Sequence, residues 1–151
     1  MHLVESAQDF CHENEIEEAV ILQARLAPDM HPFIWQIQMV SEFAPRCCAR
    51  LAELEVVNYP NVETSFDELK DRINMALAYI ETIDDKKLDS GLERIQEVPF
   101  GPDKTIPFRG PIYLHHFFLP NFYFHISTAY NILRNNGVKL GKMDFMGNIP
   151  E

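Results

Sequence analysis

Long apolar runs are missing from this sequence. Nowhere do about 18 apolar residues follow one another, the length a membrane-spanning helix requires. Basic residues are scarce as well: 13 Lys and Arg stand against 23 Asp and Glu, a formal net charge of −10. Nucleic acids and anionic membrane surfaces both need clustered Lys and Arg, so neither is an expected partner. Cysteine is limited to Cys11, Cys47 and Cys48, an odd count with two adjacent, which makes no disulfide framework. A reducing, cytoplasmic setting is the resulting expectation. Glu5 and Asp9 interrupt the first residues, which therefore read as no secretory signal. Catalytic signatures are missing too. There is no CxxC or GxSxG, and His12-Glu13 lacks the second histidine of a zinc protease. The stretch from Gly137 to Lys142 is one residue too short for a phosphate-binding loop, and it follows a helix where such a loop would open one.

What is present is ordinary globular composition, with 46% hydrophobic and 24% charged residues over a length of 151. That length encloses a core without staples, and no linker or repeat divides it, so residues 1–151 read as one domain. Leu3, Val4, Ala7, Phe10 and Cys11 share a helical face, and this first helix ends near Asn14. A second helical stretch runs from about Ile16 to Leu26 and stops at Pro28. The first helix is short for a bundle, as though the chain began part-way along it.

Phe33, Ile37, Val40, Ala44, Cys47, Leu51 and Leu54 then form an apolar stripe on a long helix. Asp29 is its expected N-cap, Pro32 falls in its first turn, and Pro45 should bend it near Ser41. Residues 55–64 read as a loop. Ser65 and Glu68 form a capping box before a third helix carrying Phe66, Leu69, Ile73, Ala76, Ile80 and Ile83, which runs to about Asp84. The polar segment that follows ends it. Alternating Val98 and Phe100, then Ile106 and Phe108, predict a short hairpin near residues 95–108. Gly110-Pro111 opens a last helix, which Pro120 should kink and Gly137 should end in a left-handed cap. The tail from Val138 to Glu151 lacks a helical period and is expected to lie over the helices.

Candidate chemistry concentrates in two places. Asn121 and His125 are four apart and project from one helical face. His116 precedes His125 by nine residues, about 180° around a straight helix, and joins it only if Pro120 reorients the earlier turn. Gln36 and Gln38 interrupt the long second helix. A buried glutamine must find a partner, which His125 or Asn121 can supply. Two readings stay open for the histidines, hydrogen bonding within an aromatic core or the lining of a polar pocket, and for the glutamines a solvated face stands beside the buried one. Cys47 falls on the apolar stripe and is expected to be buried and unbridged, as is common for free cysteine.

The segments ARLAPDM (24–30), QIQ (36–38), LHHFFLPNFYFHISTAYNILRNNG (114–137) and VKLGKMDFMG (138–147) resemble an uncharacterised domain-of-unknown-function family of the DinB/YfiT-like superfamily. The resemblance covers nearly the whole chain from Ala24. It implies an all-α, antiparallel, up-and-down four-helix bundle, often dimeric, here with one short β-hairpin before the last helix. Better-known superfamily members hold a divalent metal through three histidines, and some are thiol-dependent transferases or isomerases. The resemblance puts His125 at one of those positions, Asn121 at a second and Gln38 near the third. Amide carbonyls are weak ligands for the metals that imidazole prefers, so no metal or other cofactor is expected. The sequence thus leaves two functional classes. One is a small-molecule-binding or enzymatic bundle with Gln38, His116, Asn121 and His125 as ligand-binding residues. The other is a non-catalytic homodimer joined through the aromatic stretch 113–130.

Overall fold

A computed structural model of the protein describes residues 1–147. The first helix, α1 (His2–Glu13), buries Leu3, Val4, Ala7 and Cys11, the face set by their spacing. Asn14 caps it and Glu15 follows with φ +54°. The amides of Glu15 and Ile16 then turn back to the carbonyls of His12 and Cys11, which satisfies the open end of the helix.

The expected second stretch is shorter than its pattern, since α2 covers only Glu18–Leu22. In a continuing helix the carbonyl of Ala24 would accept from residue 28, but Pro28 has no N–H to give. The amide of Phe33 takes that carbonyl instead, at 2.9 Å, and the chain enters α3 (Phe33–Leu51). Asp29 does not cap it. Pro32 is the N-cap residue, in extended backbone with no side-chain bond to the helix.

Helix α3 runs unbroken through Pro45 and ends short of Leu54. Glu53 sits at φ +55°, with its own amide on Arg50 and that of Leu54 on Ala49, repeating the termination of α1.

Residues 52–65 have little regular structure but a long path. They lead to α4 (Phe66–Glu81), whose capping box is complete: Ser65 Oγ accepts from the Glu68 amide, and the Glu68 carboxylate accepts from the Ser65 amide. Phe33 meets Phe66 at the start of both helices, and Ser41 meets Arg72 further along both. Helices α3 and α4 therefore run in the same direction. This corrects the up-and-down order that the resemblance implies. A 19-residue helix is about 28 Å long, and 14 extended residues reach up to about 45 Å, so segment 52–65 can carry the chain back before α4 starts.

The polar stretch expected to end α4 instead forms α5 (Asp85–Leu92), capped by the Asp84 side chain on the Lys86 amide. Gly91 lies so close to α3 that a Cβ there would fall 2.0 Å from the Leu51 carbonyl oxygen. Strands β1 (Ile95–Pro99) and β2 (Thr105–Arg109) pair antiparallel, with Val98 opposite Ile106, as the alternation predicts. Phe100 falls outside the strand and is exposed.

The last helical region runs without a break from Gly110 to Asn135 but is not α-helical throughout. Helix α6 (Gly110–Ile112) passes into a π-helical turn over Tyr113–Phe118, and α7 (Leu119–Asn135) follows with Pro120 in its first turn. A wider turn ahead of Pro120 places its missing N–H where no α-helical bond is asked of it. Gly137, at φ +95°, closes α7 as expected. In the tail Val138 and Leu140 are buried, and α8 (Lys142–Met146) is a short helix that the pattern does not show. Residues 148–151 of that tail lie outside the described ones.

The core has two parts. The larger joins α1, α2, α3, α4 and α7 with Val138 and Leu140. The smaller gathers Cys47, Leu51, Val98 and Tyr113, flanked by Leu88, Leu92, Phe108 and Phe117. Gln36 meets His125 while Cys47 packs with Tyr113, so α3 and the last helical region, α7 included, run antiparallel. The molecule is thus mostly helical with one small two-stranded sheet, and no helix of the described residues is long and apolar enough to cross a membrane.

Candidate functional site

The seam between α3 and α7 carries the polar residues that the sequence singles out, in a different pairing from the expected one. His125 is buried, and its Nδ1 lies 2.8 Å from Gln36 Oε1. Gln36 is itself buried and donates from Nε2 to the His31 carbonyl at 3.0 Å. A carbonyl only accepts, so the amide nitrogen must face His31 and its oxygen must accept from His125. Nδ1 therefore carries the imidazole proton. Nε2 is left with a lone pair and has no protein partner among the described residues.

Three aromatic rings frame this imidazole. Trp35 and Phe124 meet it edge-on at 5.4 and 5.2 Å between centroids, and Phe43 stacks on it at 5.6 Å. Burial, with the nearby His31 as a smaller cause, holds the His125 pKa below its usual value. The ring is a neutral acceptor set in an apolar wall.

Gln38 does not approach His125. It lies two residues beyond Gln36, about 200° around the helix, and its Nε2 donates to Glu63 at 2.8 Å. There it belongs to a cluster around Arg72, whose side chain is fully buried. The Arg72 guanidinium donates to Ser41 Oγ at 2.8 Å, the Pro60 carbonyl at 2.9 Å and Glu63 at 2.8 Å, and Glu42 stands 3.6 Å away. The Tyr59 ring lies 5.5 Å from its centre. Burial pushes the Glu63 carboxyl up, but hydrogen bonds from Arg72 and Gln38 outweigh it and hold the group below the usual range. This cluster ties segment 52–65 to α3 and α4.

Asn121 is half-buried and spends its amide on the Phe117 carbonyl one turn back, at 2.6 Å. His116 is exposed on the π-helical turn, so the reorientation that would bring it to His125 does not occur. The donors therefore do not fit a resident transition metal. One imidazole nitrogen is available at the seam, and no group of three His, Cys, Asp or Glu side chains among the described residues has metal-holding geometry. Cys47 is buried and free, as its place on the stripe predicts, and burial pushes its thiol up to about 12. At neutral pH it is no nucleophile.

Sequence reading missed Arg72, and a signal for it exists. Arg72 lies three residues after Leu69, on the apolar face of α4, where a cation must be paired. Trp35 and Phe43, which frame His125, leave no such signal.

Fold and site together define a DinB-like helical domain with a single buried imidazole at its α3–α7 seam. A solved structure, that of a DinB family member protein from Shewanella denitrificans, is similar with a TM-score of 0.88 and 31% identity, over 99% of this chain and 84% of that one. The chain belongs to the family described as Domain of unknown function (DUF1993), which its residues 1–146 match. No curated protein matches it.

Proposed function

We propose that this protein is a metal-independent small-molecule-binding member of the DinB-like domains, with α1, α3, α4 and α7 as a four-helix bundle and the α3–α7 seam as its binding face. One observation carries the reading: His125 is fixed through Nδ1 by Gln36, while its Nε2 lone pair is left without a protein partner inside an aromatic frame. A fixed, neutral acceptor of this kind suits a ligand that donates a hydrogen bond and rests an apolar body on Trp35 or Phe43. Asn121, one turn before His125, adds a polar contact through its Oδ1. His116 stands at the rim, and Gln38 supports the face through the Arg72 cluster. Free cysteines and the charge of −10 favour a cytoplasmic protein without a nucleic-acid partner. A thermal-shift screen of uncharged hydrogen-bond donors tests the reading, because a specific ligand raises Tm by mass action. Hits at the seam should be lost in His125→Ala, and a screen in which no hit depends on His125 would overturn it.

A second reading rests on a separate observation. Tyr123 and Phe124, neighbours on α7, are 53% and 56% exposed, and Ile112 ahead of the π-helical turn is 44% exposed. Exposed apolar side chains of this size suit a homodimer joined through α7. Sedimentation at micromolar concentration should give a dimer mass, reduced to that of the monomer by Tyr123→Glu with Phe124→Glu.

A further inference from the structure

A cavity of about 370 Å³ opens where α3, segment 55–58, β1 and the π-helical turn meet. Its walls are aromatic, supplied by Phe43, Tyr113, Phe117 and Phe118, with Val98 behind them. Two guanidinium groups line it, Arg46 and Arg50, one turn apart on α3. Arg46 gives one nitrogen to Glu42 and Asn58, yet its Nε is buried with no acceptor, the only such side-chain nitrogen or oxygen among the described residues. Arg50 donates to the Glu97 carbonyl at 3.0 Å and has no carboxylate within ion-pairing range among them. A buried donor without an acceptor is costly, and so is a cation without an anion at an apolar wall. An anion in the cavity supplies the counter-charge that Arg50 lacks and a further acceptor beside Arg46.

We propose that this cavity binds a small organic anion, a carboxylate carried on a flat apolar body, with the carboxylate on Arg46 and Arg50 and the body against Phe43, Phe117 and Tyr113. The volume lies at the small end of the range for ligand pockets, roughly 300–1,000 Å³, and so suits a compound of one or two rings. Burial raises the Tyr113 hydroxyl pKa, with the adjacent Cys47 thiol adding to the shift, so that group stays protonated and uncharged in the wall. In a chain of charge −10, an unpaired arginine here is not explained by bulk charge balance. The inference rests on the reading of this protein as a small-molecule binder. It adds the class of ligand and a place for it that touches His125 only through the shared Phe43 ring.

The experiment is calorimetric titration of the full chain with 2-naphthoate and, as the uncharged control, 2-naphthamide. The acid should bind saturably, and the amide should be weaker by about tenfold or more, the loss of one charge-assisted hydrogen bond. Arg50→Gln, at a half-buried position without an ion pair, should weaken the acid by about tenfold and leave the amide unchanged. Arg50→Lys keeps the charge and should recover part of the loss. Lys139→Gln, which removes an exposed cation outside the cavity lining, should leave the acid within a few-fold of the parent protein. Equal affinity for acid and amide, no saturable binding of the acid at millimolar concentration, or an Arg50→Gln protein that binds the acid normally would each overturn the proposal. Failure here with His125-dependent hits in the neutral screen leaves the His125 reading standing. Acid binding without such hits has the reverse effect.

Discussion

At the scale of single residues, two buried polar groups carry opposite amounts of information in the sequence. The His125 and Gln36 pairing was half legible. Glutamines in the middle of an apolar helix must find partners, and a histidine on the last helix is the natural one. Which of Gln36 and Gln38 turns toward it depends on how α3 is rotated against α7, and that rotation is set by packing between the helices rather than by spacing within one of them. Arg72 was hidden because a periodic reading assigns the apolar face to Ile73 and passes over its neighbour. Its energetic weight should be large. Arg72→Leu leaves the Glu63 carboxylate without its cation and the Pro60 carbonyl without its donor, and such a change costs about 3–5 kcal/mol. Urea denaturation should show that loss, and limited proteolysis of the variant should open new cleavage within 55–64, the segment Arg72 holds. A loss below about 1 kcal/mol, the level of a surface pair, would mean that the cluster does not anchor the segment.

Among elements, terminations were harder to read than helices. Helices α1, α3 and α7 all end in the same way, with one residue in the left-handed region and two amides folded back onto the last turn. Only the third announces itself, because its left-handed residue is Gly137. At the other two positions stand Glu15 and Glu53, whose side chains give no hint of a positive φ. Left-handed backbone costs an L-residue about 1–2 kcal/mol, and glycine returns part of that as chain entropy, about 0.5–1 kcal/mol. Glu53→Gly should therefore stabilise the protein by about 0.5–1 kcal/mol, despite losing an exposed ion pair to Arg94. Thermal denaturation measures it, and a lower Tm would show that the ion pair outweighs the strain. The hairpin and the Ser65 capping box were legible because each rests on contacts local in sequence. Helix α5 was not, since its docking depends on the close approach of Gly91 to Leu51.

For the whole molecule, the sequence yields the helical class and the two-stranded sheet. It does not yield the direction of α4, because a loop of polar residues looks the same whether it turns or travels. The charged groups add a pH response at this scale. His125 is held below its usual 6.5, so between its folded value and 6.5 the unfolded chain binds more protons than the native one. Its contribution is complete above about pH 6.5 and is lost as pH falls through the lower folded value. Glu63 is also depressed, so its contribution is complete above the usual carboxyl value of 4.5 and is lost further into acid. Stability measured by urea at a series of pH values should fall in two stages, and His125→Gln should remove the upper one. An unchanged upper stage in that variant would assign it to another histidine.

The sequence holds a single tryptophan, Trp35, and the fold stacks it on His31 at 4.0 Å and sets it edge-on to His125. Indole emission is quenched by a protonated imidazole in contact and much less by a neutral one. The protein therefore carries its own optical reporter at the seam, with no competing fluorophore of the same kind. In a His31→Gln background, the intensity of Trp35 against pH traces the protonation of His125 alone. A compound settling over that ring should shift the wavelength of the emission as water is displaced from the indole.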